Sequence, residues 1–177
     1  MEIVSTNYGS GDVTQKSREL WIVDNDIAVR SDEPGFPDSW PKNPNKTASM
    51  LYRDGDSLRI FVCHNETGNF LIAPGPIHSL RGAEIHEVHR GQPPRPAGAT
   101  ITILAMTWGP QVLEKEESYA YVYACHLTGT KVTFDNGKFG RGDPWSGRGK
   151  TGVIFYTIDG DDEVKQLAGQ EHTSAEF

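Results

Sequence analysis

Cysteine is nearly absent from this chain, with two in 177 residues, Cys63 and Cys125. Two thiols cannot build the disulfide framework of a small secreted domain, and both are expected reduced and buried as small apolar groups. No run of residues approaches the length of a membrane-spanning helix. The opening stretch MEIVSTNYGSGDVTQ has neither a basic segment nor an apolar one of the secretory kind. A cytoplasmic location is therefore the default expectation, with a secreted mature form left open. Clusters of positive charge are missing as well. Lys and Arg number 17 against 24 Asp and Glu, for a net charge of −7. With no block of cations there is no footprint for phosphate backbones or anionic lipid, so neither nucleic acid nor membrane is an expected partner.

Linear signatures of catalysis and metal binding are also lacking. No Gly-x-Ser-x-Gly elbow occurs, and the glycine-rich stretch 135–150 does not end in the Lys-Ser/Thr of a phosphate-binding loop. The dipeptides Cys63-His64 and Cys125-His126 invite a zinc reading, but a pleated strand sends adjacent side chains to opposite faces. His86 and His89 lie three apart, which fits neither a helical zinc pair nor two ligands on one strand face. The turns Asp24-Asn25-Asp26, Asp54-Gly55-Asp56 and Asp159-Gly160-Asp161-Asp162 read as ordinary turn chemistry before they read as calcium loops. No metal and no cofactor is expected.

What the chain does contain is short apolar blocks punctuated by 19 glycines and 11 prolines. That rhythm implies a single all-β domain over 1–177, an antiparallel β-sandwich of jelly-roll or Ig-like type, with a closed β-barrel as the alternative. Strands are predicted at 18–24, 57–64, 99–108, 118–127 and 150–158. Asp54-Gly55-Asp56 between two alternating segments marks a hairpin. The segment Asp54-Gly55-Asp56-Ser57-Leu58-Arg59 resembles the Gly-Asp-Thr-Ile-Arg strand start of bacterial inclusion-body β-sandwich proteins over those residues alone, and no residue role is carried over. The clearest alternation, ESYAYVYACHLTGTKVTF from Glu117 to Phe134, predicts a second hairpin near the sheet centre. It puts Tyr119, Tyr121, Tyr123 and Cys125 on one face and Ala120, Val122, Ala124 and His126 on the other. Residues 1–17 read as a loose arm and 168–177 as a frayed tail. Ile60, Val62, Ile101, Ile103, Val122, Ala124, Ile154 and Tyr156 or Val153 are the expected core.

Two long loops, 31–46 and 135–150, are unusual for a compact domain, and such loops tend to carry function. They hold Phe36, Trp40, Phe139, Arg141, Asp143 and Trp145, an aromatic and charged set suited to a sugar or other small molecule. The expected function is therefore a non-catalytic binding module holding a small-molecule or glycan ligand between these loops; homo-oligomerisation is left open. The alternative is a cofactor-independent isomerase, cyclase or lyase working by proton transfer. Its acid–base candidates are His64, His86, Glu87, His89 and His126.

Overall fold

The computed structural model describes residues 1–30, 35–36, 45–64, 68–88, 93–139 and 142–177. In chain order the elements are β1 (Glu2–Tyr8), β2 (Gly11–Asp12), α1 (Thr14–Trp21), β3 (Ile22–Val23), β4 (Asp26–Arg30), β5 (Thr47–Asp54), β6 (Ser57–His64), β7 (Asn69–Ile72), β8 (Ala83–Glu87), β9 (Ile101–Trp108), β10 (Gln111–Val112), α2 (Glu116–Thr128), β11 (Val132–Thr133), α3 (Asn136–Phe139), β12 (Thr151–Ile158), β13 (Asp161–Gln170) and β14 (Ser174–Ala175). The protein is mostly β. Its strands form a five-stranded sheet in the order β2-β1-β5-β6-β8 and a four-stranded sheet in the order β10-β9-β12-β13. Smaller β3-β4-β7 and β11-β14 sheets complete the set. Every pairing is antiparallel, and among the described residues no sheet closes into a barrel.

The two large sheets share an apolar layer made by Leu51 and Ile60 from one and Ala105, Val153 and Phe155 from the other. Each sheet also buries its second face. Met50, Tyr52, Phe61 and Cys63 pack against Trp21, Ile27, Val29 and Phe70 on one side. Ile103, Met106, Trp108, Ile154 and Tyr156 pack against Val122, Tyr123, Phe134 and Phe139 on the other. Strands covered on both faces need apolar residues at every position, which accounts for the continuous runs TITILAMTW and TGVIFYTI. A register shift where β9 meets β12 turns both Leu104 and Ala105 toward the shared layer. The Asp-Gly hairpin forms as the sequence predicts, with Gly55 at φ 58° joining β5 to β6.

Four expectations are corrected. The stretch 117–134 is not a hairpin: Glu116–Thr128 is a helix, and Val132–Thr133 pairs with Ser174–Ala175 instead. Its buried residues Ser118, Tyr119, Val122, Tyr123 and Cys125 follow the helical period, while Ala124, expected inside, is exposed. Alternating Tyr and Ala satisfies a period of two by coincidence. The informative signals are the Glu116-Glu117 pair at the positive end and Gly129 at φ 64°, from which Gly129 and Thr130 N–H groups close onto His126 and Cys125 carbonyls. The strand expected at 18–24 is also helical through Trp21, with Ser17 and Trp21 turned inward.

The supposed loose arm is the inner strand β1, paired to β2 and β5. Its polar sequence hides its burial: Ser5, Thr6 and Asn7 are enclosed because Gln166 on the facing sheet reaches all three. Ser17 adds a hydroxyl bond of 2.9 Å to Thr6. The supposed frayed tail is β13, continuing to Gln170, followed by β14, and Phe177 sets its ring edge-on to His126 and Tyr156. Of the remaining expected core, Ile60, Val62, Ile101, Ile103, Val122, Val153, Ile154 and Tyr156 are all buried.

Gly152 on β12 and Gly169 on β13 are direct register partners, and the buried Phe134 ring lies over both. A Cβ on either would fall within 3.0 Å of that ring. Gly169→Ala is expected to lower stability by about 1–3 kcal/mol through overpacking. Adding Phe134→Leu should recover part of that loss, so that the double variant is more stable than the sum of the two single changes. Urea denaturation of the four proteins checks this, and simple additivity would refute the close approach.

Candidate functional site

One end of the second large sheet is built around a buried cation. Lys150 immediately precedes β12 and is 1% exposed. Its three ammonium hydrogens have three acceptors: Asp143 Oδ1 at 2.8 Å, Glu171 Oε2 at 3.1 Å and the Arg148 carbonyl at 2.9 Å. Glu171 Oε1 in turn accepts from Asn136 Nδ2 at 2.8 Å, and Asn136 Oδ1 accepts from Trp108 Nε1 at 2.9 Å. Gly109, at φ 55°, leaves room for the Lys150 stem where a Cβ would touch its Cγ. A hydrogen bond from Lys150 holds the Asp143 carboxyl below the usual carboxylate range, aided by the Trp145 backbone N–H at 3.1 Å.

Beside this network lies a cleft of about 360 Å³. It is lined by Gly142, Asp143 and Pro144 and by Gln111, Glu114 and Lys115, with the buried Trp108 ring behind them. The adjoining wall carries His86 on β8. Its Nδ1 is 2.7 Å from Glu114 Oε1, and its Nε2 is 3.6 Å from Glu84 Oε2, which also accepts the Val112 N–H. Glu114 is thus shared between the cleft and a His–carboxylate pair. Below it the Tyr119 hydroxyl donates to the Leu113 carbonyl. Burial, then the Glu114 charge, pushes this phenol from an ordinary 10.0 up to about 12.

The structure brings together some of the residues singled out in the sequence and separates others. Asp143 lines the cleft, and Trp145, half-buried, packs on His64 with ring centroids 5.0 Å apart and the planes tilted by 41°. Arg148 donates to Asn45 Oδ1 at 2.9 Å, which ties residue 148 to the residue two before β5. Phe139 is fully enclosed, stacked 5.0 Å from Phe134 and 5.6 Å from Trp108. Phe36 packs on Tyr8 and Trp21. Both rings anchor the core and have no surface left for a ligand. His126 accepts from the Thr100 N–H under the edge of Phe177, a structural role. Glu87 pairs in register with Arg59 and sits toward the other end of the sheets. Trp40, His89 and Arg141 lie outside the described residues. Cys63 and Cys125 are not joined in a disulfide and are buried in clusters on opposite outer faces.

Lys150, Glu171, Asn136 and Glu114 were not recognised in the sequence. Nothing in a lone Lys before a strand announces burial; only the convergence of segments 135–150 and 170–171 makes it visible. Among the described residues no group of three or more His, Cys, Asp or Glu is arranged to hold a metal ion. No family model, curated protein or solved structure matches the chain.

Lys150→Met is expected to destabilise the protein by about 3–5 kcal/mol, because it leaves Glu171 enclosed without its counter-charge. Since Asp143 titrates lower in the folded chain, its contribution is present above about pH 3.9 and is lost as pH falls through the folded value. The gap between wild type and variant should therefore narrow on acidification; a gap that widens would refute the ion pairing. At the alkaline end the sign reverses. The raised Tyr119 value stabilises fully below pH 10.0 and is lost as pH climbs toward about 12. Tyr119→Phe should be less stable than wild type at neutral pH yet lose less stability between those limits, as read from denaturation midpoints across pH.

Proposed function

We propose that the protein is a non-catalytic binding module that holds a small polar ligand, a glycan being the favoured class, in the cleft over Trp108. The scaffold in this reading is a β-sandwich whose two large sheets share one apolar layer, with residues 142–150 at the ligand-binding end. The observation that carries the reading is the fixed position of Asp143. Lys150 and the Trp145 N–H orient its carboxylate before any ligand arrives. A preorganised acceptor loses little freedom on binding and suits a pair of sugar hydroxyls. Gln111 and Lys115 face it with side-chain donors. Trp145, next but one to Asp143 in the chain, adds a half-buried aromatic ring packed on His64.

A second reading has its own observation. The 2.7 Å contact between His86 and Glu114 is the geometry of an oriented general base, and Glu114 borders the same cleft. This is the proton-transfer enzyme of the alternative expectation, with His86 as base and Glu114 as its orienting partner. The pair is half-exposed, where an acid–base centre gains least from exclusion of water. For that reason binding is favoured.

A glycan and metabolite screen distinguishes the two. Gln111→Ala and Lys115→Ala each should weaken binding about five- to tenfold, roughly 1–1.4 kcal/mol, with Tm shifted by no more than about two degrees. Trp145→Ala should weaken the same ligand. His86→Gln should leave affinity unchanged if the cleft only binds, and should abolish turnover if it catalyses. If none of the three cleft substitutions changes the affinity of any ligand the screen finds, the cleft is not the site.

A further inference from the structure

The shared apolar layer between the large sheets does not close at the end opposite the Lys150 network. There the two Asp-Gly hairpins, β5 to β6 and β12 to β13, lie on facing sheets. Between them opens a cavity of about 740 Å³. Its lining is mixed: Leu58 and Val88 from one sheet and Leu104 and Val164 from the other supply an aliphatic patch, beside the hydroxyls of Ser57, Thr102 and Thr157. All four are half-buried and pack against the shared layer from its open side. Apolar surface left facing a cavity of this size is a standing free-energy cost that an apolar guest would relieve, at about 25 cal/mol for each Å² covered.

The rim has a strong sign. Asp56, Glu87, Asp161 and Asp162 surround the opening against a single cation, Arg53. Asp161 is already bonded to Lys165 at 3.0 Å. Asp56, Glu87 and Asp162 are exposed and make no side-chain hydrogen bond or ion pair within the described residues. A second cavity, of about 690 Å³, shares Arg53, Asp162 and Val164 with the first and continues the trough past β1 toward α1. An aliphatic patch contributed by both sheets beneath an acidic rim suits a molecule with the complementary division, an alkyl chain carrying a positive head. An alkyl carboxylate of the same length would gain the same burial but meet like charge at the mouth.

We propose that this inter-sheet mouth is a second ligand site, taking small cationic amphiphiles of the alkylammonium class. The chain lies between the sheets against Leu58, Val88, Leu104 and Val164. The head rests among Asp56, Glu87 and Asp162. Apolar burial supplies the affinity. The exposed rim, screened by salt, supplies the preference for a cation. The site is separate from the cleft over Trp108, so substitutions there leave it untouched.

The test uses decylammonium, decanol and decanoate with the full chain, all below their micelle concentrations. Binding is followed by calorimetry and by methyl NMR of Leu and Val. Decylammonium should bind at least tenfold tighter than decanoate at low salt, with decanol between them, and should shift the methyls of Leu58, Val88, Leu104 and Val164. Raising the salt should shrink the cation-to-anion ratio while decanol affinity holds. The triple variant Asp56→Asn, Glu87→Gln, Asp162→Asn changes only exposed side chains and should abolish the ratio without abolishing binding. Leu104→Trp, which fills the interior, should remove binding of all three; Val164→Phe serves the same purpose if the first variant folds poorly. Lys131→Ala, an exposed change that lines neither site, should leave the affinities for all three compounds unchanged. Equal affinity for decylammonium and decanoate, absence of binding, or methyl shifts confined elsewhere would overturn the proposal.

Discussion

The fold depends on one constraint: each of the two large sheets buries both of its faces. A sheet packed on a single neighbour could expose its other face to water and alternate polar with apolar residues. Here β5, β6, β9 and β12 are apolar on both sides, because one face meets the opposite sheet and the other meets a covering layer. The covers are made from segments with little else in common. On one side they are α1 with the small β3-β4-β7 sheet, and on the other α2, α3 and the β11-β14 pair. Neither cover has an apolar core of its own, so each is stable only where it is seated.

Two buried polar systems brace this layering. Gln166 crosses between the sheets to the polar residues of β1, and Ser49 meets Thr107 at 2.9 Å across the same interface. These bonds fix the lateral position of one sheet on the other, which apolar contact alone leaves loosely specified. The Lys150 network does the same for the loop 142–150. Its carboxylates come from that loop and from the turn after β13, and its outer end reaches the Trp108 ring under the cleft. A cleft wall tied to buried structure at this many points can hold Asp143 in one position. That rigidity, more than any chemical group on the wall, is what the proposed binding role draws on.

The two ends of the molecule therefore differ in kind. The loop end is closed, polar and cross-linked. The hairpin end is open, with aliphatic side chains from both sheets facing an unfilled space beneath a ring of carboxylates. Tight Asp-Gly turns cannot reach across the gap as long loops can, so the shared apolar layer there ends in a mouth.

Several features were legible from the residues alone. The strands at 57–64, 101–108 and 151–158, the Asp-Gly hairpin and most of the core follow from β-branched runs and turn residues, which act over a few positions and need no distant partner. The nature of 116–128 was not legible, because Tyr-Ala alternation fits a period of two and of 3.6 alike. Glu116, Glu117 and Gly129 favour the helix only weakly until Val122 and Tyr123 have a sheet face to cover. The burial of β1 was equally hidden, since a polar strand becomes interior only when Gln166, more than 150 positions away, satisfies it. For the site, the sequence by itself named the loop 135–150 and Asp143 within it. Tertiary structure alone decided that Phe36 and Phe139 belong to the core, that Lys150 is a buried hub, and that Glu114 stands beside His86. The reason is physical: local patterns report what a residue prefers, whereas burial and charge pairing depend on which distant groups arrive, and that is a property of the packed chain.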